Sequence, residues 1–122
     1  MASLLKMLVV DDDQEMVAAL VRQFEEEDFI VDAVDDGIPA LEKIRQYQYD
    51  IVLLDLKLPR LDGVSLLKEL KKIQRLPNVL VITAVDNADT AIECVKLGAK
   101  DYISKPYDPE DLLDVVIRTL GS

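Results

Sequence analysis

The chain of 122 residues is long enough for one domain with a buried core, since a domain of this size buries roughly two-thirds of its unfolded surface. Hydrophobic residues make up 50% of it and charged residues 31%, a balance that is typical of a globular protein and excludes a disordered one. The net charge of −10 argues against binding of nucleic acid or of an anionic membrane by this domain alone.

The residue inventory also excludes several kinds of site. Cys94 is the only cysteine, which excludes an internal disulfide and a cysteine metal cluster, and its helical context favours a buried side chain over a reactive thiol. The chain has no histidine, so Ser-His and Cys-His catalysis is excluded and phosphohistidine chemistry would require a partner. Because no apolar run approaches the roughly 20 residues of a membrane span and no signal-peptide pattern is present, we expect a cytoplasmic location without a membrane partner.

Strand and helix patterns alternate along the chain. Apolar runs predict five strands, at residues 4–10, 29–34, 51–54, 79–82 and 101–104. The second run is the weakest and partly alternating, so we expect it at a sheet edge. Helices are predicted where apolar residues recur at helical spacing, in the stripes Val17-Leu20-Val21-Phe24, Ile38-Leu41-Ile44, Leu66-Leu67-Leu70-Ile73, Ala88-Ala91-Ile92-Val95 and Leu113-Val116-Ile117-Leu120.

Turn and cap residues separate these elements. An aspartate after a strand is often a helix cap or a turn former, and we assign that role to Asp13, Asp35, Asp36 and Asp62. Gly98 stands where the left-handed end of a helix would need it, and Asp108-Pro109 is typical of a helix start. The alternation of strands and helices predicts a doubly wound α/β fold, with a parallel sheet covered by helices on both faces.

Side chains with useful chemistry stand where the predicted strands end. These are Asp11 and Asp12 after the first strand, Asp55 after the third, Thr83 after the fourth and Lys105 after the fifth. In such a sheet these ends lie along one edge, where α/β proteins bind their ligands. Three carboxylates that converge there would repel each other unless a cation intervened, and oxygen ligands without histidine or thiolate suit Mg²⁺.

The same edge could support phosphoryl transfer. An aspartate can act as the nucleophile and form an acyl phosphate, while a hydroxyl and an ammonium hold the other phosphoryl oxygens. Taken singly, Asp55 is as consistent with a helix cap as with an acceptor, Thr83 with an ordinary strand end and Lys105 with a solvated surface. Their common position at strand ends favours the functional interpretation, with Asp55 as the acceptor.

Four motifs, in order and at the right separations, carry a family resemblance. They are Val9-Val10-Asp11-Asp12, Asp55 with Leu58-Pro59 and Asp62-Gly63 behind it, Val81-Ile82-Thr83-Ala84, and the run from Gly98 to Pro106. Along nearly its whole length the chain resembles a receiver domain of two-component response regulators. The resemblance implies one receiver domain over residues 1–122, either stand-alone or part of a longer protein. It also implies a flavodoxin-like three-layer sandwich whose five-stranded parallel sheet has the strand order 2-1-3-4-5.

The resemblance also implies roles for individual residues. Asp55 would be phosphorylated, Asp12 would bind Mg²⁺ directly, Asp11 would bind it largely through water, and the main-chain carbonyl of Lys57 would be a further ligand. No organic cofactor is implied.

Thr83 would hydrogen-bond a phosphoryl oxygen, and Lys105 would pair with the phosphoryl group. The resemblance implies a cis bond before Pro106 and a small Ala84 that leaves the site accessible. Tyr102 would be the aromatic switch, whose ring turns inward when Thr83 moves. Lys57 and Val85 stand at positions that resemble those that tune hydrolysis of the acyl phosphate.

The resulting hypothesis is a phospho-acceptor switch that catalyses only its own phosphorylation and dephosphorylation. The phosphoryl donor would be a sensor histidine kinase or a histidine phosphotransfer protein. The change at Asp55 would spread to the face made by the fourth helix, fifth strand and fifth helix, a face that could also form a homodimer.

Two alternatives stay open at this point. A dehalogenase-type enzyme also uses an aspartyl nucleophile on a parallel sheet, but it would need a second acid at the position that Lys57 occupies. A receiver-like interaction module that has lost the chemistry should lack one of Asp12, Asp55 or Lys105, and all three are present.

Overall fold

The structure is a computed structural model and describes residues 4–84 and 87–121. Within these ranges five strands and five helices alternate. Their bounds are β1 Lys6–Val10, α1 Gln14–Glu25, β2 Ile30–Val34, α2 Gly37–Gln46, β3 Ile51–Leu54, α3 Gly63–Lys72, β4 Val79–Thr83, α4 Ala88–Lys96, β5 Asp101–Ser104 and α5 Pro109–Gly121. Val85 and Asp86, which follow β4, lie outside the described residues. None of the described helices combines the length and apolarity that crossing a membrane requires.

The five strands form one parallel sheet in the order β2-β1-β3-β4-β5, which confirms the predicted fold class. Every residue of β3 and β4 is buried, as is β1 from Met7 onward. These continuous apolar runs reflect strands that are covered on both faces. The strand β2 lies at an edge, as its weaker pattern predicted, and its residues are half-buried or exposed.

Successive strand residues point to opposite faces of the sheet and build two core layers. Leu8 and Val10 of β1 pack toward α2, α3 and α4, together with Cys94. Met7 and Val9 pack toward α1 and α5, together with Phe24. The sheet between two helical layers is the three-layer sandwich that the sequence predicted.

The predicted caps are confirmed at several helix ends. Asp13, Asp36 and Asp62 are the N-caps of α1, α2 and α3, and the carboxylate of each accepts a hydrogen bond from a first-turn amide. Asp108 accepts from the Glu110 amide at 2.8 Å at the start of α5. Gly98 follows the end of α4 with φ +107°, a left-handed conformation that glycine adopts without strain.

The predicted buried face is wrong for α4 and partly wrong for α5, where Val116 is buried as predicted but Ile117 is not. In α4 the side chains of Ile92 and Val95 are 53% and 56% exposed, while Cys94 between them is fully buried. In α5 Ile117 is 58% exposed, while Leu112 lies in the core. Both helices have apolar residues on more than one face, so the spacing of these residues is consistent with more than one buried face. Packing against the sheet determines which face is buried.

Candidate functional site

The carboxyl edge of the sheet places the predicted residues at the ends of neighbouring strands. The backbone pairing continues one residue beyond β3 and β5, because the Asp55 amide donates to the Val10 carbonyl at 2.9 Å and the Lys105 amide to the Thr83 carbonyl at 2.9 Å. These bonds fix the backbone positions of Asp55 and Lys105 at the edge of the sheet. The peptide bond between Lys105 and Pro106 is cis, as the resemblance implied.

Three carboxylates converge at this edge. Asp11, Asp12 and Asp55 each offer an oxygen atom, and these three oxygens lie within 4.8 Å of one another. Asp11 is 3% exposed and Asp55 is 8% exposed, whereas Asp12 is open to solvent. Buried carboxylates require compensation, because the removal of a charge from water is costly. Hard oxygen donors grouped in this way fit Mg²⁺, which binds few carboxylates and retains water ligands.

Lys105 supplies part of that compensation. Its Nζ donates to Oδ2 of Asp11 at 2.8 Å and to Oδ2 of Asp55 at 3.0 Å. Burial would lower the pKa of Lys105, but the hydrogen bonds to the two carboxylates outweigh burial and raise it, so the ammonium stays charged. Burial also raises the pKa of Asp11, and the contact with Lys105 opposes that effect. When all three carboxylates are ionised, one ammonium leaves two negative charges, which a divalent cation would neutralise.

Backbone amides orient the two buried carboxylates. The Lys57 amide donates to Oδ1 of Asp55 at 3.2 Å, and the Asp13 amide donates to Oδ1 of Asp11 at 2.9 Å. Each carboxylate thus has one oxygen on a backbone amide and the other on Lys105. The side chain of Lys57 is exposed, and the role of its carbonyl as a metal ligand stays a prediction.

Thr83 and Tyr102 lie on the two adjacent strands β4 and β5. Thr83 is fully buried at the carboxyl end of β4, and Ala84, which follows it, is exposed. Tyr102 is half-buried, pairs with Val81 in the sheet register and packs against the core layer under α3 and α4. Their switching roles stay predictions.

One feature next to the site was not predicted from the sequence. Asp36 was predicted only as a turn or cap residue, but its carboxylate also pairs with Nε of Arg60 in the loop after Asp55. Burial would raise the pKa of Asp36, but the Ile38 amide and the Arg60 guanidinium lower it below its usual value. Because the partners are 24 residues apart and follow no periodic pattern, the sequence held no signal for this pair.

Comparison with known proteins agrees with the geometry. The family model described as the response regulator receiver domain matches residues 7–117. The response regulator ArlR of Staphylococcus saprophyticus is 37% identical over 108 residues, which cover 88% of this chain and 49% of that protein. The transcriptional regulatory protein ZraR of Klebsiella oxytoca is 39% identical over 105 residues, which cover 86% of this chain and 24% of that protein. The matched part of this chain thus covers half or less of the length of these relatives.

Solved structures show the same architecture. The receiver domain of the Francisella response regulator 1452 has a TM-score of 0.89 and 34% identity, with 95% of this chain and 96% of that chain covered. A chain of the CheX-CheY-BeF3-Mg²⁺ complex from Borrelia burgdorferi has a TM-score of 0.88 and 31% identity, with coverages of 93% and 87%. The described fold, the strand-end residues and these matches agree, and the chain belongs to the response regulator receiver domain family of two-component systems.

Proposed function

We propose that the chain is a phospho-acceptor switch in which a phosphoryl group is transferred to Asp55 in a Mg²⁺-dependent reaction. The observation that carries the proposal is the environment of Asp55. Asp55 is 8% exposed, its carboxylate receives hydrogen bonds from Lys105 and the Lys57 amide, and it shares an edge of the sheet with Asp11 and Asp12. A carboxylate that is held by two donors and kept from bulk water is preorganised to attack phosphorus.

The transfer step follows from the chemistry of a carboxylate. A carboxylate oxygen of Asp55 forms a bond to phosphorus while the bond between phosphorus and the donor's imidazole nitrogen breaks. The electron pair of that bond leaves with the imidazole, and Asp55 becomes an acyl phosphate. The phosphohistidine belongs to a partner, either a sensor histidine kinase or a histidine phosphotransfer protein, because this chain contains no histidine. A small phosphodonor would react in the same way.

The metal site would use Asp11, Asp12, Asp55 and the main-chain carbonyl of Lys57. The two negative charges that Lys105 leaves uncompensated and the oxygen-only donor set support this assignment. Bound Mg²⁺ would supply charge neutralisation for the incoming phosphoryl group. The solved Borrelia complex, which contains BeF3 and Mg²⁺, also supports it.

Phosphorylation would change the partners of Lys105 and Thr83. The ammonium that now bridges Asp11 and Asp55 would pair with the phosphoryl oxygens, because these carry more negative charge than the carboxylate they replace. The hydroxyl of Thr83 would approach the same group, and Tyr102 on the neighbouring strand would turn inward. A partner, an output domain or a second copy would bind the face formed by α4, β5 and α5. The exposed apolar side chains of Ile92 and Val95 on α4 support this choice.

We place this activity in a single receiver domain over residues 1–122 of a cytoplasmic protein, with no turnover of a separate substrate. Membership of the receiver family argues against the dehalogenase-type alternative. The alternative of a receiver that has lost its chemistry is testable, since such a module would not bind beryllofluoride in the presence of Mg²⁺.

The test of the function is labelling by acetyl phosphate in Mg²⁺. Wild-type protein should take up one phosphoryl group and the Asp55→Asn variant none, because an amide is not a nucleophile toward phosphorus. Asp62→Asn is the matched control, since it makes the same chemical change at the exposed N-cap of α3 and an amide oxygen can still cap that helix. Undiminished labelling of Asp55→Asn would refute the assignment.

A further inference from the structure

The pair of Asp36 and Arg60 joins α2 to the β3–α3 loop, residues 55–62. The carboxylate of Asp36 is almost inaccessible, with 7% of its side chain exposed. One of its oxygens accepts from the Ile38 amide at 2.9 Å as an N-cap, and the other pairs with Nε of Arg60. An N-cap needs only the first of these bonds. The second bond therefore requires an explanation beyond capping.

The backbone at Arg60 points to the same conclusion. Arg60 has φ +59°, a left-handed conformation that residues other than glycine seldom adopt. It lies at the centre of a tight turn, in which the Leu61 amide donates to the Pro59 carbonyl at 2.7 Å. Glycine would fit this turn without strain, whereas an arginine adopts this backbone conformation at a cost.

The loop also packs closely against its surroundings at two glycines. A Cβ atom on Gly37, next to Asp36, would lie 1.8 Å from the Leu61 carbonyl oxygen, so the start of α2 touches the loop backbone. Gly63, the first residue of α3, donates its amide to the Leu56 carbonyl near the start of the loop at 2.9 Å. The loop is thus fixed near its start by α3, through Leu56, and near its end by α2, through Arg60 and Leu61.

Between these fixed points lies Lys57, whose amide donates to Asp55. We infer that Asp36 and Arg60 are a positioning pair that holds the β3–α3 loop so that the main chain of Lys57 is correctly placed for both Asp55 and a bound divalent cation. This inference rests on the proposed function and deepens it, because it assigns the geometry of the metal and acceptor site to a contact outside the site. Outer contacts that orient ligands commonly affect metal affinity.

The experiment compares Mg²⁺ affinity by calorimetry and the rate of acetyl phosphate labelling in full-length variants. Arg60→Gln and Asp36→Asn each break the pair, and Asp36→Asn keeps an oxygen for the cap. Each should raise the Kd for Mg²⁺ by roughly threefold to tenfold, which is at or below the lower limit of the roughly tenfold to hundredfold loss for a direct outer contact, because this pair acts on the ligands through the loop. The double variant should be no worse than either single variant, because both act through one contact. Arg60→Lys should recover part of the affinity.

Arg118→Gln is the matched control. It breaks another arginine–aspartate pair, to Asp101 at 2.9 Å, and its arginine is 67% exposed compared with 65% for Arg60. Its Kd and labelling rate should equal those of wild-type protein. In amide NMR spectra of the metal-free protein the Lys57 signal should shift in Arg60→Gln and stay in place in Arg118→Gln, a difference that a general loss of stability would not produce.

The outcomes separate the two proposals. Wild-type Kd values and an unshifted Lys57 amide in both Arg60→Gln and Asp36→Asn would overturn the positioning role, even if labelling of wild-type Asp55 succeeds. If wild-type protein binds Mg²⁺ but takes up no phosphoryl group, the proposed function is wrong. The comparison of Kd values still tests the positioning role of Asp36 and Arg60 in that case. If Arg60→Gln fails to fold, the comparison of Asp36→Asn with wild-type protein decides whether the pair positions the loop.

Discussion

Lys105 and Asp55, which are 50 residues apart in the sequence, meet at 3.0 Å between Nζ and Oδ2 at the carboxyl edge of the sheet. The same ammonium contacts Asp11 at 2.8 Å, and the Lys105 side chain is only 14% exposed. One buried cation is therefore shared between two buried carboxylates. A metal ion or a phosphoryl group that binds at Asp55 therefore also alters the contacts of Lys105 with the two carboxylates.

Removal of that cation should destabilise the metal-free protein. Lys105→Met leaves two buried carboxylates without their cationic partner, although each keeps a backbone amide donor. We expect a loss of about 2 kcal/mol in the free energy of unfolding, which is below the range for fully buried pairs because the site is partly open. Mg²⁺ should restore much of the loss, since a ligand that binds only the folded state stabilises it. Urea unfolding with chelator and with Mg²⁺ measures both effects.

The exposed Lys100 provides the control, because Lys100→Met makes the same change on the surface. It should leave the free energy of unfolding within about 0.5 kcal/mol of wild-type protein. A Lys105→Met protein as stable as wild type in chelator would show that the shared contact contributes nothing.

Thr83 should be needed for the response rather than for the chemistry. In Thr83→Val we expect Asp55 to be labelled while the environment of Tyr102 no longer changes on phosphorylation, because valine retains the volume but lacks the hydroxyl. The loss of a buried hydroxyl should cost about 1 kcal/mol of stability. Fluorine NMR of fluorotyrosine-labelled protein reports on Tyr102 directly. Thr119→Val, at another buried threonine, is the matched control and should respond normally; a normal response in Thr83→Val would exclude the switching role.

Cys94 should be inert in the native protein. Its side chain is fully buried, and burial raises the pKa of its thiol, so little thiolate is available at neutral pH. We expect reaction with a thiol reagent to be slow, with a rate set by unfolding, and to become rapid in concentrated urea. Fast and complete reaction in native buffer would contradict the core position of Cys94.

The stabilising effect of Asp36 should disappear in acid. Its pKa is lowered on folding, so its contribution is fully present above the ordinary carboxyl value of 3.8 and is lost as the pH falls through the lower folded value. Unfolding of wild-type protein and of Asp36→Asn, measured from neutral pH down to about pH 3, should show a difference that shrinks at the acid end. A difference that is constant over the whole range would mean that the ionised carboxylate is not what stabilises the fold.

The sequence predicted most of the sheet and the meeting of Asp11, Asp12, Asp55 and Lys105 at one of its edges. Buried parallel strands appear as apolar runs, so residues 51–54 and 79–82 could be recognised directly, and side chains at their ends had to share one edge. The strand order came from the family resemblance, because apolar runs do not reveal which strands are neighbours. The faces of α4 and α5 were wrong at Ile92 and Ile117, where helical spacing allowed more than one phase.

Contacts between loops were beyond what the sequence could show. The pair of Asp36 and Arg60 depends on a left-handed turn and on close packing at Gly37, and neither follows from a periodic pattern. The sharing of Lys105 between Asp11 and Asp55 likewise depends on where the chain runs after β5. Residue type and strand position could bring these groups to one edge but could not assign the individual hydrogen bonds.

The proposed function requires that Asp55 itself becomes the acyl phosphate. Reduction of the labelled protein with borohydride converts an aspartyl phosphate to homoserine, and mass spectrometry of the peptides then identifies the position. We expect homoserine in place of Asp55 in the wild-type chain, dependent on Mg²⁺, with Asp11 and Asp12 unmodified. Homoserine at Asp11 or Asp12, or labelled protein without homoserine at position 55, would contradict it.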